Sequence, residues 1–254
     1  PLPTLLLKSH FGQPGSSWGA QTIAGLKEMH ALLLQGSRGK NKQPGEFRQS
    51  QNWIGGSRPG NAVFVPPPPN KLMDCLGPFE TFLHTDSDEI PTLIKAGLSH
   101  VQFETIHPFL DGNGRLGRLL ITLLLCHDHS LKQPLLYLSL YFKQHRTDYY
   151  RHLQQVRQNG DWETWLMFFL RGITETAEQA IATANRISEL FKADSITINE
   201  LGRIAKSCQQ VYTHLQVHGI AAIQTTSQKL DINRTTVNRC LALLLENGIV
   251  EELT

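Results

Sequence analysis

The chain has 254 residues, 40% hydrophobic and 18% charged, with 24 Lys and Arg against 22 Asp and Glu. That length suffices for one large core or for a domain with a small appendage, and a formal net charge of +2 is too weak to mark a nucleic-acid binder. No run approaches the roughly 20 apolar residues of a membrane span, and no basic-then-apolar leader is present. Cys75, Cys126, Cys208 and Cys240 stand too far apart to pair as metal or redox ligands, which suits a soluble protein of a reducing, cytoplasmic setting. The sequence begins at Pro1 rather than at methionine and reads as a fragment or a processed product.

In chain order, Thr22 to Leu34 places Ile23, Leu26, Met29, His30 and Leu33 at helical spacing. A polar stretch from Gly39 to Glu46 follows. Asn52-Trp53-Ile54 and Ala62-Val63-Phe64-Val65 then flank the helix-breaking Gly55-Gly56-Ser57-Arg58-Pro59-Gly60-Asn61, a pattern that predicts a β-hairpin or hairpin-like flap. Pro66 to Pro69 forbids helix and makes a stiff extended connector.

From Lys71 to about Leu170 the periodicity is helical, with segments at Met73 to Leu83, Glu89 to Thr105, Asn113 to His127 and Tyr149 to Gln158, extended by Thr164 to Asn185 and Arg186 to Lys192. This half is expected to be a helical bundle. The tail differs. Thr225 to Leu230, a turn at Asp231-Ile232-Asn233, Arg234 to Leu245 and a glycine break at Gly248 predict a helix-turn-helix with the start of a wing. A domain boundary is expected near Ala193 to Asn199, giving a larger unit over 1–195 and a tail domain over 196–254.

The chemistry concentrates in His107 to Arg118, HPFLDGNGRLGR. Pro108 biases His107 out of the helical region and ends the preceding helix there. Asp111-Gly112-Asn113-Gly114 is a tight turn whose glycines leave backbone N–H groups uncovered at the start of the next helix, which makes a nest for phosphate oxygens. Arg115 and Arg118 lie three apart on one helix face and can address one anion. Asp111 can hold Mg²⁺ bridging two phosphates, and His107 can accept a proton from an incoming hydroxyl. Taken singly, each residue has an ordinary structural role: a core hydrogen bond, a cap, surface ion pairs. Twelve residues in this order are far more specific than a bare Gly-x-Gly.

Those twelve residues resemble the Fic family motif HxFx(D/E)GNGRxxR at every fixed position. The likeness extends upstream through GEFRQSQNWIGG and downstream through KQHRTDYYRHL, covering most of Thr22 to Arg171. It implies a mainly α fold, a Fic-type helical bundle with a small β-hairpin flap, and transfer of AMP from ATP to a hydroxyl of a target protein with release of pyrophosphate. By match of position, His107 would be the general base and Asp111 the Mg²⁺ ligand. Gly112, Asn113, Gly114, Arg115, Leu116, Gly117 and Arg118 would surround the phosphates. Ile54, Gly55, Gly56 and Ser57 would form the flap over the nucleotide, along which the target would lie, and Tyr150, with Tyr149 beside it, would line the adenosine pocket. Other members carry an inhibitory (S/T)xxxE(G/N) motif. Here the one Glu followed by Gly or Asn is Glu246, with Ala242 where Ser or Thr should stand, so no intact copy is expected.

In the tail, Arg234, Thr235, Asn238 and Arg239 could reach phosphates or base edges, but from Ile220 to Thr254 three basic residues face four acidic ones. Weak DNA binding at best follows, and contacts to a target or to a second copy in a homodimer fit equally well. His214 and His218 lack a third metal ligand and read as an ordinary helical pair. Two rival readings stay open at this point: a DNA-binding regulator whose Fic portion senses nucleotide, and a Fic enzyme that uses another nucleotide donor.

Overall fold

The computed structural model describes residues 22–35, 42–85, 88–133 and 136–253. The expectation drawn from Pro1, and part of the polar stretch beginning at Gly39, lie outside them. Two compact units divide at Ala180 and Ile181.

The first unit is built on helices α1 (Ile23–Leu34), α2 (Leu72–Leu83), α3 (Thr92–Ile106), α4 (Asn113–His127), α5 (Leu138–Gln144), α6 (Arg146–Asn159) and the first part of α7 (Trp162–Asn199). Thr22 starts α1 as an N-cap, its hydroxyl accepting the Gly25 N–H at 3.0 Å. The apolar faces of α2, α3 and α4 enclose Leu76, Phe79, Phe103, Leu116, Leu120 and Leu124, to which α7 adds Trp165 and Phe169. Gly97 lets α7 approach α3 closely: the Trp165 indole N–H donates to the Gly97 carbonyl at 3.0 Å, and a Cβ at Gly97 would lie 3.0 Å from Leu166 and Phe169. This packing makes α3 and α4 a rigid pair, and the His107 to Gly112 loop joins them.

The predicted hairpin reduces to one antiparallel bridge, Ile54 to Phe64, with no strand among the described residues. Two features stop a ladder from growing. Gly55 and Gly56 are both left-handed, at φ +70° and +68°, and the tip closes instead through the Asn61 side chain. Its carbonyl accepts the N–H groups of Ser57 and Arg58 at 3.0 and 2.9 Å, and its amide donates to the Ser57 hydroxyl at 3.1 Å. On the other side Pro66 to Pro69 supply no N–H donors.

The second unit packs α8 (Ala205–His218), α9 (Ile223–Leu230) and α10 (Arg234–Glu246) with the end of α7 around Ile198, Cys208, Val211, Tyr212, Val237, Cys240 and Leu244. The α9–α10 turn falls at Asp231 to Asn233. Asp231 is left-handed, and Asn233 caps α10 by accepting the Thr235 N–H at 2.9 Å. No strand follows α10 among the described residues, so the expected wing has no counterpart there. The boundary expected near Ala193 to Asn199 falls inside α7, which is continuous over 38 residues. The helix leaves the first core after Ala177 and enters the second at Phe191, and every residue from Ile181 to Leu190 is exposed.

Candidate active site

His107 ends α3 in a left-handed conformation, φ 48° and ψ 59°, its N–H still bonded to the Phe103 carbonyl at 2.9 Å. Because residue 108 is proline, the Glu104 carbonyl loses its helical partner. It accepts instead the Arg157 Nη2–H at 3.0 Å and the His107 Nδ1 at 3.3 Å. The Glu104 carboxylate Oε2 lies 3.7 Å from the same Nδ1. The Glu104 main-chain carbonyl can only accept, so the ring proton resides on Nδ1, and Nε2 carries the free lone pair. Burial pushes the His107 imidazole down to about 4, opposed by the Glu104 carbonyl and reinforced by Arg157 and Arg48. At neutral pH it is an unprotonated base with a defined tautomer.

The loop after His107 is fastened from within. Asn113 bonds back to Phe109 twice, accepting its N–H at 2.9 Å and donating to its carbonyl at 2.7 Å. Its side chain is thus buried and engaged in shaping the loop, leaving the backbone to face a ligand. His30 stacks on Phe109 at 3.8 Å between ring centroids. The His30 Nδ1 accepts the Gly45 N–H at 2.9 Å, so its Nε2 must be the protonated nitrogen, donating to the Asp111 carbonyl at 2.8 Å. Gly112 turns the chain at φ +85°, a conformation that favours glycine, and opens α4. No side chain caps α4, and the N–H groups of Asn113, Gly114 and Arg115 precede the first intrahelical bond, from Leu116 N–H to the Gly112 carbonyl at 2.9 Å. Uncapped donors at the positive end of a 15-residue helix are suited to take an anion.

Arg115 pairs with Asp111 at 3.1 Å, and both side chains are more than a third exposed. Among the described residues no group of three or more His, Cys, Asp or Glu could hold a metal ion. The exposed Asp111 carboxylate beside the anion site nonetheless suits a hard cation that takes its other ligands from water and phosphate. Arg118 is half-buried, its guanidinium folded over Gly114, where an added Cβ would lie 3.2 Å from Nη1.

Two residues of the motif serve packing. Leu116 is fully buried in the core. Gly117 faces α3, where a Cβ would come within 3.2 Å of Glu104, His100 and Phe103. Tyr149 is buried with its hydroxyl 2.8 Å from His100 Nε2, whereas Tyr150 stands 48% exposed against Arg146. Of the flap residues, Ile54 is half-buried and Gly55, Gly56 and Ser57 are exposed.

Five side chains to which the sequence assigned no site role organise the site. Arg48, 2% exposed, donates to the carbonyls of His107 at 2.9 Å, Ile106 and Ser50 at 3.5 Å, and Pro67. Asn52 donates to the Phe109 carbonyl at 3.1 Å. Arg157 joins Glu104 to the flap, lying 4.1 Å over the Phe64 ring, and neighbouring Gln154 donates to the Val63 carbonyl at 3.2 Å. Glu104 itself is buried, and its Oε1 has no hydrogen-bond partner.

Comparison with known proteins agrees with this geometry. Residues 21–125 match the model of the Fic/DOC family. Over 161 residues the chain is 36% identical to the "Protein adenylyltransferase Fic" of Aedes aegypti and 32% identical to that of Culex quinquefasciatus. Each match takes in 63% of this chain but 28% of the relative, so the chain spans under a third of those proteins. The fold resembles that of a Fic family protein from Desulfovibrio desulfuricans G20, with a TM-score of 0.60 at 22% identity, over 96% of this chain and 66% of that one.

Proposed function

From the Fic/DOC domain that this chain carries over residues 21–125, we propose that it is a protein adenylyltransferase, moving AMP from ATP to a hydroxyl side chain of a target protein. One observation carries the reading: an imidazole with its lone pair on Nε2 stands at the mouth of a loop whose next helix offers uncapped N–H donors and two arginines. The hydroxyl oxygen attacks the α-phosphorus as Nε2 takes its proton, and pyrophosphate departs with the broken bond's electrons. The amides at the start of α4 with Arg115 and Arg118 balance the phosphate charge, so catalysis is chiefly positioning and electrostatics. Mg²⁺ held by Asp111 and nucleotide oxygens would neutralise further charge, and Arg115 is free to leave Asp111 for a phosphate because that pair is exposed.

The flap, with Ile54 bonded to Phe64 on one edge, presents its other edge for strand-like pairing with the target segment. Tyr150, exposed on α6, would meet the nucleoside. The tail unit supplies contacts to a target or a second copy; its α10 face exposes Arg234, Thr235, Asn238 and Arg239.

The test is incubation with ATP labelled at the α-phosphate, Mg²⁺ and a protein extract. Labelling of protein from ATP, lowered about 10²-fold or more in His107→Ala, is expected. Equal incorporation by that variant would overturn the assignment.

A further inference from the structure

The mechanism above leaves one buried ionisable group without a task. Glu104 sits one turn before His107 on α3, 6% exposed, in a space that two glycines of the motif create. A Cβ at Gly117 would approach its Oε1 to 3.1 Å and one at Gly114 to 3.5 Å. Oε1 has no partner, whereas Oε2 lies 3.7 Å from His107 Nδ1, whose hydrogen bond goes to the main-chain carbonyl of the same glutamate at 3.3 Å. Leaving a carboxylate oxygen buried without a donor is costly, and a bulkier residue at position 117 would close the space altogether.

We propose that Glu104 is a positioning residue for His107: its carboxylate faces the Nδ1–H edge of the imidazole and stabilises the imidazolium that forms when Nε2 takes the proton of the acceptor hydroxyl. This rests on the adenylyltransferase reading for its chemistry. The proton on Nδ1 stays there throughout. The one from the hydroxyl goes to Nε2 as the new oxygen–phosphorus bond forms and the bond to pyrophosphate breaks. The carboxylate thus acts as the third member of an acceptor–imidazole–carboxylate series.

The groups facing Glu104 are His107 and His100 from α3, Arg118 from α4, and Arg157 and Tyr149 from α6; Arg48 and Asp111 act on His107 from the loops. Burial pushes Glu104 up to about 7, against the pull of Arg118 and Arg157. It also pushes His100 down to about 4 and Tyr149 well above the ordinary phenol range. Across neutrality, Glu104 is therefore the titrating member of this set, and the imidazole should work best once the carboxylate has ionised.

The experiment is a pH profile of AMP transfer in the whole chain, paired with histidine-selective ¹⁵N NMR of His107, for the wild type and Glu104→Gln. In the wild type, kcat is expected to rise 10- to 100-fold through a midpoint near 7, and the His107 ring nitrogens to shift with the same midpoint. In Glu104→Gln both steps vanish, kcat stays at the low-pH level, and KM for ATP changes less than threefold. Unshifted His107 resonances in the wild type, a neutral-pH limb retained in Glu104→Gln, or a loss confined to KM would overturn the proposal. The wild-type resonances need no foldable variant. If they shift near neutrality while the wild type labels nothing from ATP, the pairing of carboxylate and imidazole stands and the adenylyltransferase reading falls.

Discussion

Replacing Arg48 by Met should unfasten the flap and the end of α3 together. The guanidinium is buried, and burial already disfavours its charge, so it is retained for its bonds. Those to the His107 carbonyl at 2.9 Å and to the Pro67 carbonyl are the strongest; those to Ser50 and Ile106 at 3.5 Å add little. A hydrogen bond to a charged group contributes about 1.5–3 kcal/mol. Two such losses, less the desolvation penalty that Met escapes, give a net destabilisation of about 3–4 kcal/mol. At roughly 2–4 °C per kcal/mol for a unit of this size, the midpoint should fall by about 10 °C. Arg48→Lys, which can reach one carbonyl at a time, should fall between. Urea unfolding followed by tryptophan fluorescence reads this, because the described tryptophans, Trp53, Trp162 and Trp165, all belong to the first unit. A Met variant within about 1 kcal/mol of wild type would show that the carbonyls find water or other donors, and would refute the reasoning.

Gly56→Ala should impair transfer to protein while leaving the unfolding midpoint of the first unit within a few degrees, because φ is +68° and a Cβ would lie 2.3 Å from the Asn61 carbonyl oxygen in an exposed tip; undiminished labelling of the target would contradict a role for that tip. Acid should destabilise the first unit. His100 and His107 stay neutral down to about 4 in the folded chain, Glu104 keeps its proton up to about 7, and the unfolded values are 6.5 for the histidines and 4.5 for the carboxyl. From pH 6.5 to 4.5 the unfolded chain therefore takes up two protons at the histidines and the folded chain retains one at Glu104. The net difference of one proton lowers stability by about 1.4 kcal/mol per pH unit, or about 3 kcal/mol over the window. Burial lowers His30 as well, which steepens the loss; urea midpoints that stay flat or rise between those pH values would contradict it.

The loop and helix start of the candidate anion site were legible in the sequence because their parts are contiguous: Pro108, Gly112 and the arginines act on neighbours within one turn of chain. Helix positions were legible for the same reason, and α4 spans Asn113 to His127 as its periodicity predicts. Arg48, Asn52 and Arg157 were not, since each meets its carbonyl 53 to 59 residues away, and a main-chain acceptor leaves no residue-type signal. His30 looked like one more position on an apolar face; what distinguishes it is the pair of backbone partners 15 and 81 residues distant. Leu116 and Gly117 carry a packing role that the sequence did not reveal. They sit inside the motif because a helix that offers its amides to an anion must also dock against α3, and the motif records both demands without separating them. The flap's residue types favoured extended structure, yet two left-handed glycines and the following prolines left room for one bridge.

The flap is gripped almost wholly by its main chain: Gln51 reaches the carbonyls of Asn52 and Pro66, Arg48 those of Ser50 and Pro67, and Gln154 that of Val63. Carbonyl oxygens are common to all twenty amino acids. The outward side chains, Trp53, Val63 and Val65 among them, can therefore drift during evolution without shifting the loop they ride on. Under the adenylyltransferase reading such a mounting would be indifferent to its cargo, and the choice of target would change by surface mutation while the proposed phosphate chemistry beneath stayed untouched.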